Sequence, residues 1–282
     1  MGRGFYVIGL LLRANIIAGM VLLILAVSEA KAETLTIGGT GAALGTMRAL
    51  GEAFMQEHAD VQVVVLSSLG SGGGIRALAA GKLDIAVSGR PLKSEEQAKL
   101  PEARSIHFGT TPLALVTSHK NVDAITTGQL AEILEGVTLE WPDSSPVSYI
   151  LRPKKETDTI LLAAYSSILA QALDKARARP SFLMAFTDQE TMDKAEKVSG
   201  ALTTAAISVI VSERRSLKAL KFDGIAPTIE NVANGTYTLI RRGYIILKSS
   251  ATATAQKFSN FAQSAKGRDI LRANGYLPPK PN

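Results

Sequence analysis

The chain contains no cysteine and only three histidines, His58, His107 and His119. Without cysteine there can be no disulfide, no thiolate metal site, no cysteine nucleophile and no lipid-modified N-terminal cysteine, which excludes a lipoprotein. The histidines show neither HxxxH nor HExxH spacing, so no histidine metal site is indicated. We therefore expect neither a metal nor a cofactor.

Catalytic motifs are also missing. The sequence has no GxSxG nucleophile elbow, and its glycine run "GSGGG" lacks the Lys-Ser/Thr end of a phosphate-binding P-loop. No acidic residue completes a dinucleotide fingerprint around the same glycines. We predict no catalytic residue and no enzyme. A hydrolase of phosphate esters stays open only as a remote alternative, because it would need a nucleophile with a base or metal.

Extended basic stripes and interleaved aromatics, which mark nucleic-acid binding, are absent too. Aromatic residues make up 5% of the chain, and the formal net charge is +6 over 282 residues. The basic residues cluster only as pairs, most of which we predict to be solvated: Lys154–Lys155, Arg214–Arg215 and Arg241–Arg242. This composition excludes a nucleic-acid partner and is compatible with a small anion.

The first 32 residues have the pattern of an export signal. Arg3 and Arg13 precede an apolar run at 15–27. This run is shorter than the roughly 20 residues of a membrane span. "AKA" at 30–32 then offers a signal-peptidase site. We predict cleavage after Ala32, with an uncleaved N-terminal anchor as the alternative. In both cases the body of the protein is exported.

After this segment, strands and helices alternate. Short apolar strands are predicted at 34–39, 61–68 and 84–89, with helices at 45–58 and 73–83 between them. This strand–glycine turn–helix pattern is typical of an α/β fold with a parallel sheet. Ligands of such sheets bind beyond the carboxyl ends of the strands.

The three strand ends share a small, polar, glycine-rich character: "GGTG", "SSLGSGGG" and "VSGR". Glycines let an anion approach the backbone, helix N-termini offer free N–H groups, and hydroxyls and arginine add donors. We therefore predict an anion site. From these strand ends its residues would be Thr40, Gly41, Ala42, Ser71, Gly72, Ser88, Gly89 and Arg90. For Arg90 the alternative is a surface pair with Glu95 or Glu96.

The middle of the chain, about 116–238, is predicted to form a second α/β unit. Arg152 lies at the end of the predicted strand 146–153, and Thr157 precedes the predicted helix 158–173. Both are predicted to join the anion site. If Arg152 faces a solvated cleft, Arg152→Ala should weaken ligand binding severely and leave the fold intact. No low-complexity linker separates the units, which favours two lobes joined by continuous strands.

Four further stretches carry a family resemblance. They are "SSLGSGGGIRALAAGKLDIAVSGRPL", "TTGQLAEILEGVTLEWPD", "FDGIAPTIENVANGTYTLIRRGYIILK" and "FSNFAQSAKGRDILRANGYLP". In order and spacing they resemble the extracytoplasmic phosphate-binding proteins of phosphate ABC transporters, a branch of the type II periplasmic binding proteins. The resemblance covers about residues 34 to 279.

The resemblance implies a two-lobed α/β fold with two crossing hinge strands. Lobe one would comprise 33–115 and 240–282, and lobe two 116–239. It implies a monomer in the periplasm that closes on an oxyanion, most simply inorganic phosphate, and docks on an ABC permease in the inner membrane. The alternative is a non-transport binding or sensor protein of the same fold with altered or lost ligand specificity.

Two positions depart from the family pattern. The family has an aspartate where this chain has Gly89, and that carboxylate accepts the proton of hydrogen phosphate. The family's Ser-Gly-Thr after the arginine is replaced by Glu156, Thr157 and Asp158. Thr157 retains a hydroxyl donor, and Asp158 is predicted to cap the following helix.

Overall fold

The computed structural model of the chain describes residues 32–179 and 183–280. The predicted export segment 1–32 lies outside the described residues, except for Ala32. None of the helices in the described part combines the length and apolar character needed to cross a bilayer.

The strands are short except for one. In chain order they are β1 (Glu33–Gly39), β2 (Val61–Val65), β3 (Ile85–Ser88), β4 (Arg104–Thr117), β5 (Ala124–Ile125), β6 (Ser148–Leu151), β7 (Leu183–Met184), β8 (Ala201–Ala206), β9 (Lys218–Ala219), β10 (Lys221–Phe222) and β11 (Ile240–Leu247).

Helices separate most of these strands. In chain order they are α1 (Gly41–Glu57), α2 (Gly70–Ala79), α3 (Ser94–Gln97), α4 (Thr127–Glu135), α5 (Thr157–Tyr165), α6 (Ser167–Ala178), α7 (Asp188–Lys197), α8 (Ile207–Ser212), α9 (Ile229–Ala233), α10 (Ala253–Gln263) and α11 (Ala265–Ala273). The alternation of strands and helices follows the α/β pattern expected from the sequence.

The main sheet has the strand order β2-β1-β3-β11-β4-β8-β6-β7, and β9 pairs separately with β4. The strands β1 and β3 are parallel, as are β8, β6 and β7, whereas β11 and β4 run antiparallel to their neighbours. The sheet is therefore mixed, with parallel βα units on both sides of a central antiparallel pair.

The long strand β4 serves both halves of the sheet. Its first part, Arg104 to Pro112, pairs with β11, and its second part, Leu113 to Thr117, pairs with β8. The residue before β11 lies beside the point where β4 changes its pairing partner. There the Leu113 N–H donates to the Leu239 carbonyl at 2.9 Å. Thus β4 and the start of β11 connect the two halves.

The buried core is divided in the same way. Phe54, Phe108 and Phe258 belong to one apolar cluster, formed by α1, α10 and the strands around β1. Leu113, Leu115 and Trp141 belong to another, formed by α4, α5, α6 and the second part of β4. Each half of the sheet is thus stabilised by burial of its own apolar side chains.

Several element boundaries differ from the sequence prediction for identifiable reasons. Helix α1 begins at Gly41 and α2 at Gly70, so the glycine-rich stretches form the first turns of the helices and not the loops before them. The predicted helix 158–173 is two helices, because Ser166 ends α5 and accepts the Ile168 N–H to cap α6. The ambiguous stretch 201–220 folds as strand, helix and strand.

Candidate anion-binding site

Three helices begin side by side at the centre of the sheet. A Cβ on Gly74 of α2 would lie 2.6 Å from the Gly39 Cα at the end of β1, so only glycine lets α2 approach β1 this closely. The Gly89 N–H, after β3, donates to the Ser71 Oγ at 2.9 Å. A Cβ on Gly89 would in turn lie 3.4 Å from the Thr157 Oγ1 of α5. The N-termini of α1, α2 and α5 therefore converge.

The first turns of these helices keep unused donors. Among the hydrogen bonds of residues 32–179 and 183–280, none is donated by the backbone N–H groups of Gly41, Ala42, Ser71, Gly72, Thr157 or Asp158. Helix N-termini carry partial positive charge and attract anions. Three of them facing one another create a strong preference for a negatively charged ligand.

Arg241 of β11 lies fully buried among these helix starts, with its side chain 2% exposed. Its Nη1 donates to the Oδ1 atoms of Asp158 and Asp188, the latter at 2.9 Å. Its Nη2 donates to the Thr40 Oγ1 at 2.7 Å. The residue therefore ties β11 to α1, α5 and α7. The prediction that the Arg241–Arg242 pair is solvated is wrong for Arg241, because tertiary packing encloses it.

Arg152 follows β6 and is equally enclosed, 3% exposed. Its Nη1 donates to the Asp188 Oδ1 at 3.3 Å, and its Nη2 donates to the Glu156 Oε2 at 3.1 Å. The expectation that Arg152 faces a solvated cleft is thus wrong, and with it the premise that its removal would spare the fold. A buried charge that loses its partner is costly, so Arg152 supports both the site and the fold.

The carboxylates around the arginines differ in their pKa values. Burial alone would raise the pKa of Asp188, but Arg241 and Arg152 outweigh burial and lower it to about 2. Burial raises the pKa of Asp158, against the opposing effect of the same arginines. Burial likewise raises the pKa of Glu156. Arg152 and Arg241 are therefore surrounded by the ionised carboxylate of Asp188 and by two carboxylates that bind protons more readily, those of Asp158 and Glu156.

The arginines themselves stay charged. Burial alone would lower the pKa of Arg241, but Asp158 and Asp188 raise it above the ordinary value. For Arg152 the balance of effects on the pKa is the same, with Asp188 as the main opposing charge. The Nε atoms of both arginines are buried and have no hydrogen-bond partner among the described residues. Buried donors without a partner are costly, so these two positions are destabilising unless an acceptor reaches them.

Most of the predicted site residues come together here. Thr40, Gly41, Ser71, Gly89, Arg152 and Thr157 are linked by the contacts described above. The space at Gly41 is closely bounded, since a Cβ there would lie 2.6 Å from the Asp188 Oδ2. Ala42 and Gly72 contribute backbone only, and the Ala42 carbonyl accepts from the Ser208 Oγ at 2.9 Å.

Ser88 and Arg90 are engaged elsewhere. The Ser88 Oγ donates to the Arg90 carbonyl at 2.6 Å and accepts the Arg90 N–H at 3.2 Å, which closes the turn after β3. The Arg90 guanidinium donates to both carboxylate oxygens of Glu96, at 2.6 and 2.7 Å. The structure thus places Arg90 in the alternative role, as a partner of Glu96.

Arg241 and Asp188 were missed as site residues in the sequence. The signal for Arg241 was its place in "IRRGYIIL", where every second side chain of a strand faces the same way and the apolar neighbours predict burial. Asp188 gave a weaker signal, an acid in the first turn of a helix capped by Thr187. Neither residue reveals its partners locally, because the contacts join distant parts of the chain.

The chemistry of the site is that of anion binding. It offers backbone N–H groups, hydroxyls and guanidinium groups. The described residues place no group of three or more histidine, aspartate or glutamate side chains so that they could hold a metal ion. Arg152 and Arg241 are buried, which strengthens their electrostatic interaction with a bound anion.

Among protein-family models, that of the PBP superfamily domain matches residues 26–266 of this chain. Two curated proteins are similar along most of the chain. Protein SphX of Synechococcus elongatus is 26% identical over 277 residues, covering 89% of this chain and 80% of its own length. The phosphate-binding protein PstS of Bacillus subtilis is 26% identical over 260 residues, covering 89% of this chain and 82% of its own length.

A solved structure has the same fold. It is a Clostridium perfringens protein, described as a substrate-binding protein of a phosphate ABC transporter and solved with bound phosphate. Its TM-score is 0.74 at 22% identity, and the match covers 88% of this chain and all of that one. At this identity the comparison establishes the fold.

Proposed function

Because this chain belongs to the PBP superfamily, as the match over residues 26–266 shows, we propose that it is a solute-binding protein that captures inorganic phosphate for an ABC transporter. The predicted fold class is confirmed, since the structural neighbours are type II periplasmic binding proteins with a mixed α/β fold. The family acts outside the cytoplasm as a substrate-binding protein and not as an enzyme.

One observation carries the proposal. The Nε groups of Arg152 and Arg241 are buried without partners among the described residues, beside three helix N-termini whose first N–H groups are unused. A tetrahedral oxyanion needs several converging donors, and backbone N–H groups at helix starts together with guanidinium groups are donors of this kind. Phosphate is chosen among oxyanions because PstS of Bacillus subtilis is a phosphate-binding protein by name and the Clostridium perfringens structure holds bound phosphate.

The two halves of the sheet support a clamp. We propose lobe one as 33–115 with 240–282 and lobe two as 116–239. Thr40, Ser71 and Gly89 would then bind the anion from lobe one, and Arg152 and Thr157 from lobe two. Binding stabilises the closed form because only there do both sets of donors reach the ligand.

Delivery follows from the same proposal. The segment 1–32 would direct export to the periplasm, and the closed monomer would dock on a permease in the inner membrane. A non-transport sensor of the same fold would also bind phosphate, but deletion of its gene would leave phosphate uptake by whole cells intact. Loss of high-affinity uptake on deletion supports the transport role.

Phosphate binding is tested directly by equilibrium dialysis of the purified exported protein with radiolabelled phosphate. The protein is first unfolded, dialysed and refolded to remove any bound anion. We expect saturable binding of one phosphate per chain well below millimolar concentration. Absence of binding at millimolar phosphate would contradict the proposal.

Ser71→Ala should weaken phosphate binding modestly. The Ser71 Oγ already accepts the Gly89 N–H, so its own proton is available to the ligand. Loss of one neutral hydrogen bond corresponds to about a two- to tenfold weaker affinity. Calorimetry with phosphate measures the affinity of the variant. Ser67→Ala is the matched control, because Ser67 lies in the same stretch and is exposed. Equal affinities for the two variants would remove Ser71 from the site.

A further inference from the structure

The side chain of Glu156 is turned away from the helix that it begins. Glu156 is the N-cap residue of α5, yet its side chain accepts no capping hydrogen bond from the described residues of that helix. An N-cap side chain ordinarily accepts the N–H of the second or third helical residue. The carboxylate is instead directed at Arg152, whose Nη2 donates to the Glu156 Oε2 at 3.1 Å. A contact outside α5 therefore sets the direction of this side chain.

The Glu156 carboxylate also reaches the start of α2, in the other half of the sheet. A Cβ on Gly70, the first residue of α2, would lie 3.8 Å from the Glu156 Oε1. The N-terminus of a helix carries partial positive charge, and the Arg152 guanidinium carries a full one. The carboxylate thus lies between two positive groups from different halves of the sheet. This is the environment that the proposed clamp would offer a bound anion.

Three carboxylates surround the two arginines of the site. Glu156, Asp158 and Asp188 lie within ion-pair distance of Arg152, and two of them also of Arg241. With all five groups ionised, the cluster carries one net negative charge, which disfavours the entry of a further anion. An anion can therefore bind Arg152 favourably only when one of the carboxylates withdraws.

Glu156 is the carboxylate of these three that can withdraw. The Asp158 and Asp188 side chains are 0% and 6% exposed, and each faces both arginines. The Glu156 side chain is 26% exposed and pairs with Arg152. Burial raises the pKa of Glu156 although Arg152 opposes that effect, so its charge is held less favourably than in water. Rotation of this side chain into solvent needs no opening of the core.

We propose that Glu156 is an internal competitor of the ligand, whose carboxylate occupies Arg152 in the free protein and is displaced into solvent when phosphate binds. The inference rests on the proposed phosphate function and describes how that same site is regulated. Displacement breaks the Glu156–Arg152 ion pair, so phosphate affinity is lower than the same donors would give without Glu156. The residue thus sets the phosphate concentration at which the protein is loaded.

Calorimetry with phosphate on the wild-type protein, Glu156→Gln and Glu135→Gln tests the proposal. Glutamine keeps the size of the side chain and removes its charge. We expect Glu156→Gln to bind phosphate about three- to thirtyfold more tightly, between the effects of an exposed ion pair and of a hydrogen bond to a buried charge. Loss of a merely structural contact would weaken binding instead.

Glu135→Gln is the matched control. The Glu135 side chain is 27% exposed and pairs at 2.9 Å with Lys175, which is not a residue of the site. This variant removes the same charge from a side chain of nearly the same exposure. Because solvent and salt screen charges at a distance, its phosphate affinity should stay within about twofold of the wild-type value.

A second variant, Glu156→Ser, guards against a folding defect in Glu156→Gln. Serine is a favoured N-cap residue, so α5 would gain a side-chain cap that it lacks. We expect tighter phosphate binding in this variant too. In crystals of the wild-type protein grown with phosphate, the Glu156 carboxylate should lie beyond hydrogen-bond distance of the Arg152 Nη2.

The outcomes separate this inference from the proposed function. If neither the wild-type protein nor the variants bind phosphate, both fall. Binding by the Glu156 variants alone would support the inference and contradict the proposed function of the natural chain. If the wild-type protein binds phosphate and the Glu156 variants bind no more tightly than Glu135→Gln, Glu156 is not a competitor and the phosphate function stands. A Glu156 carboxylate still bonded to Arg152 beside a bound phosphate would overturn the inference as well.

Discussion

Replacing Arg241 by alanine should lower the free energy of unfolding by about 3–5 kcal/mol, the cost of breaking a buried ion pair by removing one partner. Arg241 is the common donor to Asp158, Asp188 and Thr40, and its side chain is enclosed. Without it two buried carboxylates lose their main counter-charge. Urea denaturation of the wild-type protein and the variant measures the difference.

Arg242→Ala is the matched control for this experiment. It is the next residue of β11 and is exposed, so its change should stay within about 0.5 kcal/mol. The deficit of Arg241→Ala should shrink as the pH falls, because the carboxylates that lost their arginine then become neutral. A variant as stable as the Arg242→Ala control would show that the buried charges are not coupled to folding.

Arg152→Ala should weaken phosphate binding by about ten- to hundredfold, because a hydrogen bond to a charged group contributes about 1.5–3 kcal/mol. The structure adds a second effect. Arg152 is buried and paired with Asp188 and Glu156, so the variant should also lose stability. Calorimetry with phosphate measures the first effect and urea denaturation the second.

Lys154→Ala controls for the charge near Arg152. The Lys154 side chain is 71% exposed and pairs with Asp174 on the surface, where ion pairs contribute little. The Lys154→Ala variant should therefore match the wild-type protein in both phosphate affinity and free energy of unfolding. If Arg152→Ala lowered stability but bound phosphate as tightly as this control, Arg152 would be a structural residue only.

Local sequence patterns were sufficient to predict the βα units and the strand ends. Glycine and hydroxyl residues at 38–41, 67–74 and 87–90 recur where parallel strands end, and the structure brings these stretches together. The reason is geometric, since parallel strands in one sheet end at the same edge. That Thr40, Ser71 and Arg152 bind a ligand stays a prediction.

The charge network could not be predicted in the same way. Arg241 is 83 residues from Asp158 and 53 from Asp188, and nothing near any of them in the sequence specifies the pairing. Paired basic residues are usually solvated, which led to the wrong expectation for Arg241. Burial of a charge depends on which distant partners pack against it, and only the three-dimensional structure supplies that information.

A crystal structure of the wild-type protein grown with phosphate tests the central claim most directly. We predict one tetrahedral anion that accepts hydrogen bonds from Arg152, from the Ser71 hydroxyl and from the backbone N–H groups that begin α1 and α5. An empty site, with phosphate absent or bound on the surface, would contradict the account.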